Sequence, residues 1–352
     1  MNISADQVTA ALSKVIEPDL KKDIITLGLV SNIQVEDNKV AFTVQISNPA
    51  MHSKKRMQEA CEFALERAFG KEVKSAILIE ALPKDRDPEV RKVLPNVKHI
   101  IAIASGKGGV GKSTITSNLA AGLAKQGYKV GLVDADIYGP SAPTMFDLVG
   151  QRPKGVEKDG KTLIQPIESY GVKVLSIGFF SEPDQAVVWR GPMASKALNQ
   201  LFKDAEWGAL DYLLIDLPPG TGDIHLSLVQ NVPLTGVVIV STPQEVALAD
   251  ARKGINMFQM DSLKVPVVGL VENMAWFTPA ELPDNKYYIF GRDGAKNLAE
   301  SMNVPLLAQI PLIQSVRESG DVGRPAVLQE NTISSKVFDE FVATFVKAVN
   351  SK

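Results

Sequence analysis

Ten residues, Ser105 to Thr114, read SGKGGVGKST. Glycines at 106, 108, 109 and 111 let a backbone bend sharply and turn successive N–H groups toward one point, which is the chemistry of holding an anion. Within the stretch, Gly106 to Ser113 matches G-x-x-x-x-G-K-[ST], a loop that cradles nucleotide phosphates. Lys112 is expected to bridge the β- and γ-phosphates and the Ser113 hydroxyl to ligate Mg²⁺, with Gly106, Gly108, Gly109, Val110, Gly111 and Thr114 lining the nucleotide. Lys107 exceeds what the pattern needs. It reads either as a solvated side chain or as a second cation for the phosphates.

Two acidic stretches extend the chemistry. LVDADIYGPS places Asp134 and Asp136 at the end of an apolar run. YLLIDLPPGTGD ends another in Asp216, the usual position of a carboxylate that holds the Mg²⁺ shell. Asp134 alone is equally well explained as a cap on the next helix.

Such residues must be carried to one place by a sheet. From Ile100 onward, apolar runs (IIAIA, KVGLVD, YLLID, GVVIVS, PVVGLVEN) alternate with helical patterns. Runs that are apolar throughout imply strands covered on both faces, so the fold class is α/β, a mostly parallel sheet with helices on both faces. Ligands of such sheets lie at the carboxyl ends of the strands, where the glycine loop and both acidic stretches fall. A small α+β domain precedes it, with an amphipathic helix carrying Val8, Ala11, Leu12 and Val15, strands at IITLGLV, KVAFTVQIS and VKSAILIEA, and a helix from 53 to 69. The proline- and charge-rich stretch PKDRDPEVRKVLPNVK reads as a linker. The expected division is 1–82, a linker at 83–98, and 99–352.

Length of 352 residues, 45% hydrophobic and 22% charged composition, and a formal charge of -2 describe a globular protein without the basic field that draws a chain onto nucleic acid or anionic lipid. The N-terminus lacks the apolar block of a signal peptide, and no apolar run is long enough to span a membrane. Cys61 is the sole cysteine, so no intramolecular disulfide exists and a reducing, cytoplasmic location is expected. Cys61 lies on the same helical stripe as Met57 and Leu65 and reads first as a buried small hydrophobe. His52, His99 and His225 are scattered along the sequence.

KGGVGKST resembles the deviant Walker A loop of the MinD, ParA and nitrogenase iron-protein class. DADIYGPS, WRGPM, DYLLIDLPPGTGD and VENMAWF are similar to the Mrp/ApbC branch, ATPases that carry iron-sulfur clusters. IEPDL, ITLGLV and ISNPA in the first domain resemble MIP18-type cluster-assembly factors. The resemblance implies an ATP-hydrolysing homodimer in which Lys107 reaches the partner's nucleotide, Asp136 orients the attacking water, Asn273 reads the adenine edge, and apo iron-sulfur proteins or assembly factors are the partners. It also implies a Cys-x-x-Cys pair shortly after ENM. Here that interval, AWFTPAELPDNKYYIFG, has none, although Glu281 and Asp284 stand in it. Cluster ligands are therefore unassigned, with Cys61 the sole thiol.

A positioning ATPase of the MinD or ParA kind is the alternative, as is a nucleotide-gated scaffold that binds no cluster. The C-terminal run SSKVFDEFVATFVKAVNSK is amphipathic, as a membrane-lying helix would be. Its Asp339 and Glu340 and its few cations favour core packing instead.

Overall fold

The computed structural model describes residues 3–18, 22–36, 39–46, 51–70, 73–81, 93–158, 160–180, 191–261 and 263–351. It divides into two compact units, Met1–Arg91 and Lys92–Lys352.

The first unit runs α1 (Ala5–Leu12), β1 (Val30–Glu36), β2 (Lys39–Ile46), α2 (Met51–Phe69) and β3 (Lys74–Ala81). Ser4 caps α1 in a reciprocal box with Gln7. The sheet order is β1-β2-β3, antiparallel then parallel. Val8, Leu12, Val40, Val44, Met57, Cys61 and Leu65 form its core.

The second unit begins with β4 (Val97–Ala104), α3 (Lys112–Lys125), β5 (Val130–Asp134), α4 (Ala142–Met145), β6 (Lys154–Lys158), β7 (Lys161–Gln165), β8 (Ile167–Ser169) and β9 (Val172–Ser176). It continues through α5 (Gly191–Lys203), β10 (Leu210–Asp216), α6 (Asp223–Asn231), β11 (Gly236–Ser241), α7 (Glu245–Gln259) and β12 (Val267–Phe277). The last elements are α8 (Gly294–Ser301), β13 (Leu306–Leu312), α9 (Gln314–Asp321) and α10 (Ile333–Asn350). Eight strands form one sheet in the order β13-β12-β11-β4-β10-β5-β9-β8. All its pairings are parallel except β8 with β9. β6 and β7 make a second, two-stranded sheet, mostly exposed, with Ile164 packed against the core.

Alternation along each strand feeds two cores. Ile100, Ala102 and Ala104 of β4 join Leu213 and Ile215 of β10 beneath α5, α6, α7 and α8. Ile101 and Ile103 join Leu214 and Val238 beneath α3 and α10. Burial on both faces explains why these strands are apolar throughout.

The stripe of α10 belongs to that second core. Phe338, Phe341, Val342 and Phe345 are at most 1% exposed and pack toward α3 and β13. The face that a membrane-lying helix would use is thus occupied within the fold. Among the described residues no helix is long and apolar enough to cross a membrane.

Because β10 lies between β4 and β5 while β11 lies on the far side of β4, the connections diverge at β4. Crevices at such switch points, beyond the carboxyl ends of the strands, are where α/β sheets bind ligands. The parallel register sets Asp216 beside both Ile103 and Asp134.

Candidate functional site at the carboxyl end of the sheet

The loop between β4 and α3 carries Gly106, Lys107, Gly108, Gly109, Val110 and Gly111. Gly109 and Gly111 both have φ of 80°, a left-handed conformation that side chains resist. Gly111 is the N-cap of α3 and supplies no side-chain cap. The first-turn amides of α3 therefore have no side-chain cap and, with the helix dipole, form a site suited to an anion. Val110 is buried under the loop at 3% exposure. Ser113 and Thr114 are half-buried in the first turn.

The two lysines differ sharply. Lys112 is 5% exposed, and its Nζ donates to Asp216 Oδ1 at 2.7 Å and to Ser113 Oγ at 3.3 Å, with Asp136 Oδ2 at 3.7 Å. Lys107 is half-buried, and among the described residues its ammonium has no ion-pair or hydrogen-bond partner. One cation is thus neutralised within its own site, and the other is available to a ligand or a second chain.

Asp216 is held further by Thr116, whose hydroxyl lies 3.0 Å from Asp216 Oδ1 and 2.9 Å from the Lys112 carbonyl. Thr116 escaped the sequence reading, although its place one turn after Lys112 puts it on the same helix face.

Asp134 resolves as an anchor. Its carboxylate accepts hydrogen bonds from the backbone N–H of Asp136 at 3.2 Å, the N–H of Ala142 at 2.9 Å and Ser176 Oγ at 2.9 Å. Full burial pushes its pKa up to about 7, the neighbouring Asp216 charge adding to the rise. It holds the chain from 134 to 142 so that Asp136, 8% exposed, meets Lys112. Burial also raises the pKa of Asp136, against the pull of Lys112.

Beyond Asp216 the chain turns through Pro218 and Pro219, and Gly220 N–H donates to the Ser105 carbonyl at 2.9 Å. His225, 2% exposed, lies 2.9 Å by its Nε2 from the Pro218 carbonyl. A carbonyl only accepts, so Nε2 carries the proton; Nδ1 is buried without a partner among the described residues. Burial lowers the pKa of this ring, and Lys112 adds to the shift. A depressed pKa makes the neutral ring a stabilising contribution that is complete above the unfolded value of 6.5 and lost as pH falls through the folded pKa. His225→Gln is expected to flatten the loss of stability as pH falls below about 6.5, read by urea denaturation at several pH values. An unchanged pH slope contradicts this assignment.

Asn273, near the end of β12, is 7% exposed, and its Nδ2 donates to the Val110 carbonyl at 2.8 Å. The structure thus gathers Lys112, Ser113, Asp136, Asp216 and Asn273 around one loop. The donor set of Ser113 and Asp216 is oxygen only, which suits Mg²⁺.

Thiolate chemistry is not gathered there. Cys61 is 0% exposed in the core of the first unit, and burial pushes its thiol pKa up to about 12. A thiol of that kind neither ligates iron nor reacts at neutral pH. Cys61 in the native protein is expected to alkylate with iodoacetamide at least about 100-fold more slowly than in urea, and comparable rates would show it accessible. Among the described residues no group of three or more metal-ligating side chains occurs. The side chain of His52 and residues Trp189 and Arg190 lie outside the described residues. The segment after Asn273 is an aromatic turn. Phe277 pairs antiparallel with Tyr287, Lys286 lies 4.1 Å from the Trp276 ring centroid, and Glu281 and Asp284 are exposed.

Residues 96–346 match the family described as NUBPL iron-transfer P-loop NTPase, and residues 5–77 match a family described as iron-sulfur cluster assembly protein. An iron-sulfur cluster carrier protein of Synechocystis sp. is 42% identical over 93% of this chain and 92% of its own length. One from Escherichia coli K12 is 43% identical over 96% of this chain and 88% of its own. A solved nucleotide-binding protein from Archaeoglobus fulgidus, in complex with ADP, is 38% identical, with a TM-score of 0.59 over 68% of this chain and 91% of that one. The Pyrococcus furiosus cell division ATPase MinD shares the fold, with a TM-score of 0.50 at 24% identity over 71% of this chain and 98% of that one. With the glycine loop, the two strand-end aspartates and this span of similarity together, the chain belongs to the NUBPL-type iron-transfer P-loop NTPase family.

Proposed function

We propose that this protein hydrolyses ATP as a face-to-face homodimer and couples that cycle to the handling of iron-sulfur clusters for apo proteins or assembly factors. The observation that carries the proposal is the contrast between the lysines: Lys112 ion-paired and buried, Lys107 without a partner in the described chain.

In this reading the triphosphate takes over Lys112 from Asp216 and Asp136, and the amides of Gly109 to Ser113 surround its oxygens. Asp216 and Ser113 are the residues that would hold Mg²⁺, which supplies charge neutralisation at the phosphate oxygens. Release from Lys112 frees the Asp216 carboxylate for that purpose. Asp136, already restrained by the backbone contact to Asp134, orients the attacking water and accepts its hydrogen bond. Lys107 of each protomer adds charge to the partner's nucleotide as the γ-phosphate leaves, the role an arginine finger plays elsewhere.

Cargo chemistry follows from the thiol inventory. Cys61 does not fit an iron-sulfide cluster, so the thiolates belong to the client or to an assembly partner, and this chain contributes the nucleotide-driven change of state. A cytoplasmic location suits that role. Iron and labile-sulfide quantification on protein purified without oxygen tests it. Neither is expected above the level found with Cys61→Ser. A stoichiometric cluster on the isolated wild type would overturn the division of labour while leaving the ATPase reading intact.

A further inference from the structure

The ammonium of Lys107 has no partner among the described residues, but the backbone that carries it is held on both sides of its Cα. Ser105, 3% exposed, donates from Oγ to the Lys107 carbonyl at 2.9 Å. Its own carbonyl accepts the Gly220 N–H at 2.9 Å, which ties it to the turn after β10. Gly220 has φ of 98°, a left-handed conformation open to glycine. Between Ser105 and Lys107, Gly106 lies against α7. A Cβ there would collide with the Asp250 backbone and sit 2.6 Å from Ala251 N.

The consequence follows from peptide planes. The Cα of Lys107 joins two rigid planes, and its Cα–Cβ direction is set once both are fixed. Packing of Gly106 on α7 fixes the plane before it, and the Ser105 hydroxyl fixes the plane after it. A serine hydroxyl has one proton to donate, and this buried one gives it to the Lys107 carbonyl. A long side chain on a fixed stem reaches a distant anion at a smaller loss of conformational freedom than one on a loose loop. The part of the loop that faces its own nucleotide has separate supports, since Val110 is buried and its carbonyl accepts from Asn273 Nδ2 at 2.8 Å.

We propose that Ser105 is a positioning residue for Lys107, acting through the Lys107 carbonyl. Removing its hydroxyl then slows hydrolysis at the partner's nucleotide and spares binding at its own. The proposal rests on the reading above in which Lys107 serves the partner's site.

The test has three arms. Ser105→Ala is expected to lower ATP turnover about tenfold while ATP affinity stays within about threefold of the wild type. In a Lys107→Ala background, Ser105→Ala is expected to cost nothing further, because the side chain it positions is gone. In an equal mixture with Asp136→Asn, the Ser105→Ala protomer receives a well-placed Lys107 from its partner and keeps its own Asp136. Turnover is then expected to reach about a quarter of wild type, where the two parents average about one-twentieth. Unchanged turnover, a matching loss of ATP affinity, an additive loss in the Lys107→Ala background, or a mixture at the parental average each overturns the proposal. Lys107→Ala mixed with Asp136→Asn, run in parallel, separates the levels. If that mixture regains turnover and the Ser105→Ala mixture does not, only the role of Ser105 falls. If neither regains it, the reading of Lys107 falls and takes this proposal with it.

Discussion

Lys107→Ala is expected to reduce ATP turnover by about 10³-fold or more while leaving ATP affinity within about threefold of the wild type. In the proposed function Lys112 serves the phosphates of its own site; in the structure its charge is paired with Asp216 at 2.7 Å. Lys107 has no such commitment among the described residues. A cation whose contact exists only as the γ-phosphate departs contributes to kcat and little to binding. Steady-state turnover and direct ATP binding, measured on the same preparation, separate the two. A loss confined to binding would return Lys107 to the ordinary loop contacts, and full activity would make it a solvated side chain.

Asp216→Asn has an equally large effect and a less obvious companion. Removal of the carboxylate is expected to lower turnover by at least about 10²-fold, because the charge clamp on the transferring phosphoryl group loses its holder. Without nucleotide, the variant keeps Lys112 buried with Asp136 at 3.7 Å as its remaining carboxylate neighbour. Leaving one member of a buried pair without its partner costs about 3 kcal/mol in unfolding free energy. Part of that loss is offset, since Asp134 no longer faces a second buried carboxylate. Nucleotide phosphates then replace the missing anion, so ATP in EDTA is expected to stabilise Asp216→Asn more than it stabilises the wild type. Thermal unfolding with and without nucleotide reads this directly. Equal stabilisation of both proteins would mean that Lys112 does not exchange Asp216 for phosphate.

What the sequence disclosed was local. The glycine spacing from Gly106 to Gly111 states its own backbone requirement, and the loop adopts it, with Gly109 and Gly111 left-handed. Apolar runs became strands of a two-faced sheet because burial on both sides leaves no room for polar alternation. The α10 stripe read correctly as core for the same reason. Contacts set by strand order were invisible. Thr116 and Ser176 carry no motif. They matter because β10 inserts between β4 and β5, bringing Asp216 beside Asp134, and because β9 then delivers Ser176 to the same carboxylate. Asp134 was ambiguous for this reason: its role depends on a neighbour forty-two residues away. The contact from Asn273 to Val110 spans β12 and the loop after β4, and only the folded sheet reveals it. The hairpin of β6 and β7 is mostly exposed, with only Val156, Leu163 and Ile164 half-buried, too few apolar residues to announce it.

Exchange of Lys107 between protomers is tested most directly by mixing two inactive variants, Lys107→Ala and Asp136→Asn, and measuring ATP turnover. In a mixed dimer, the Lys107→Ala protomer keeps its own Asp136 and receives Lys107 from its partner, so one complete site forms. Random pairing is expected to restore up to about a quarter of wild-type turnover. If both residues serve the nucleotide of their own chain, no complete site can form, and a mixture no more active than its parts would contradict the dimer mechanism.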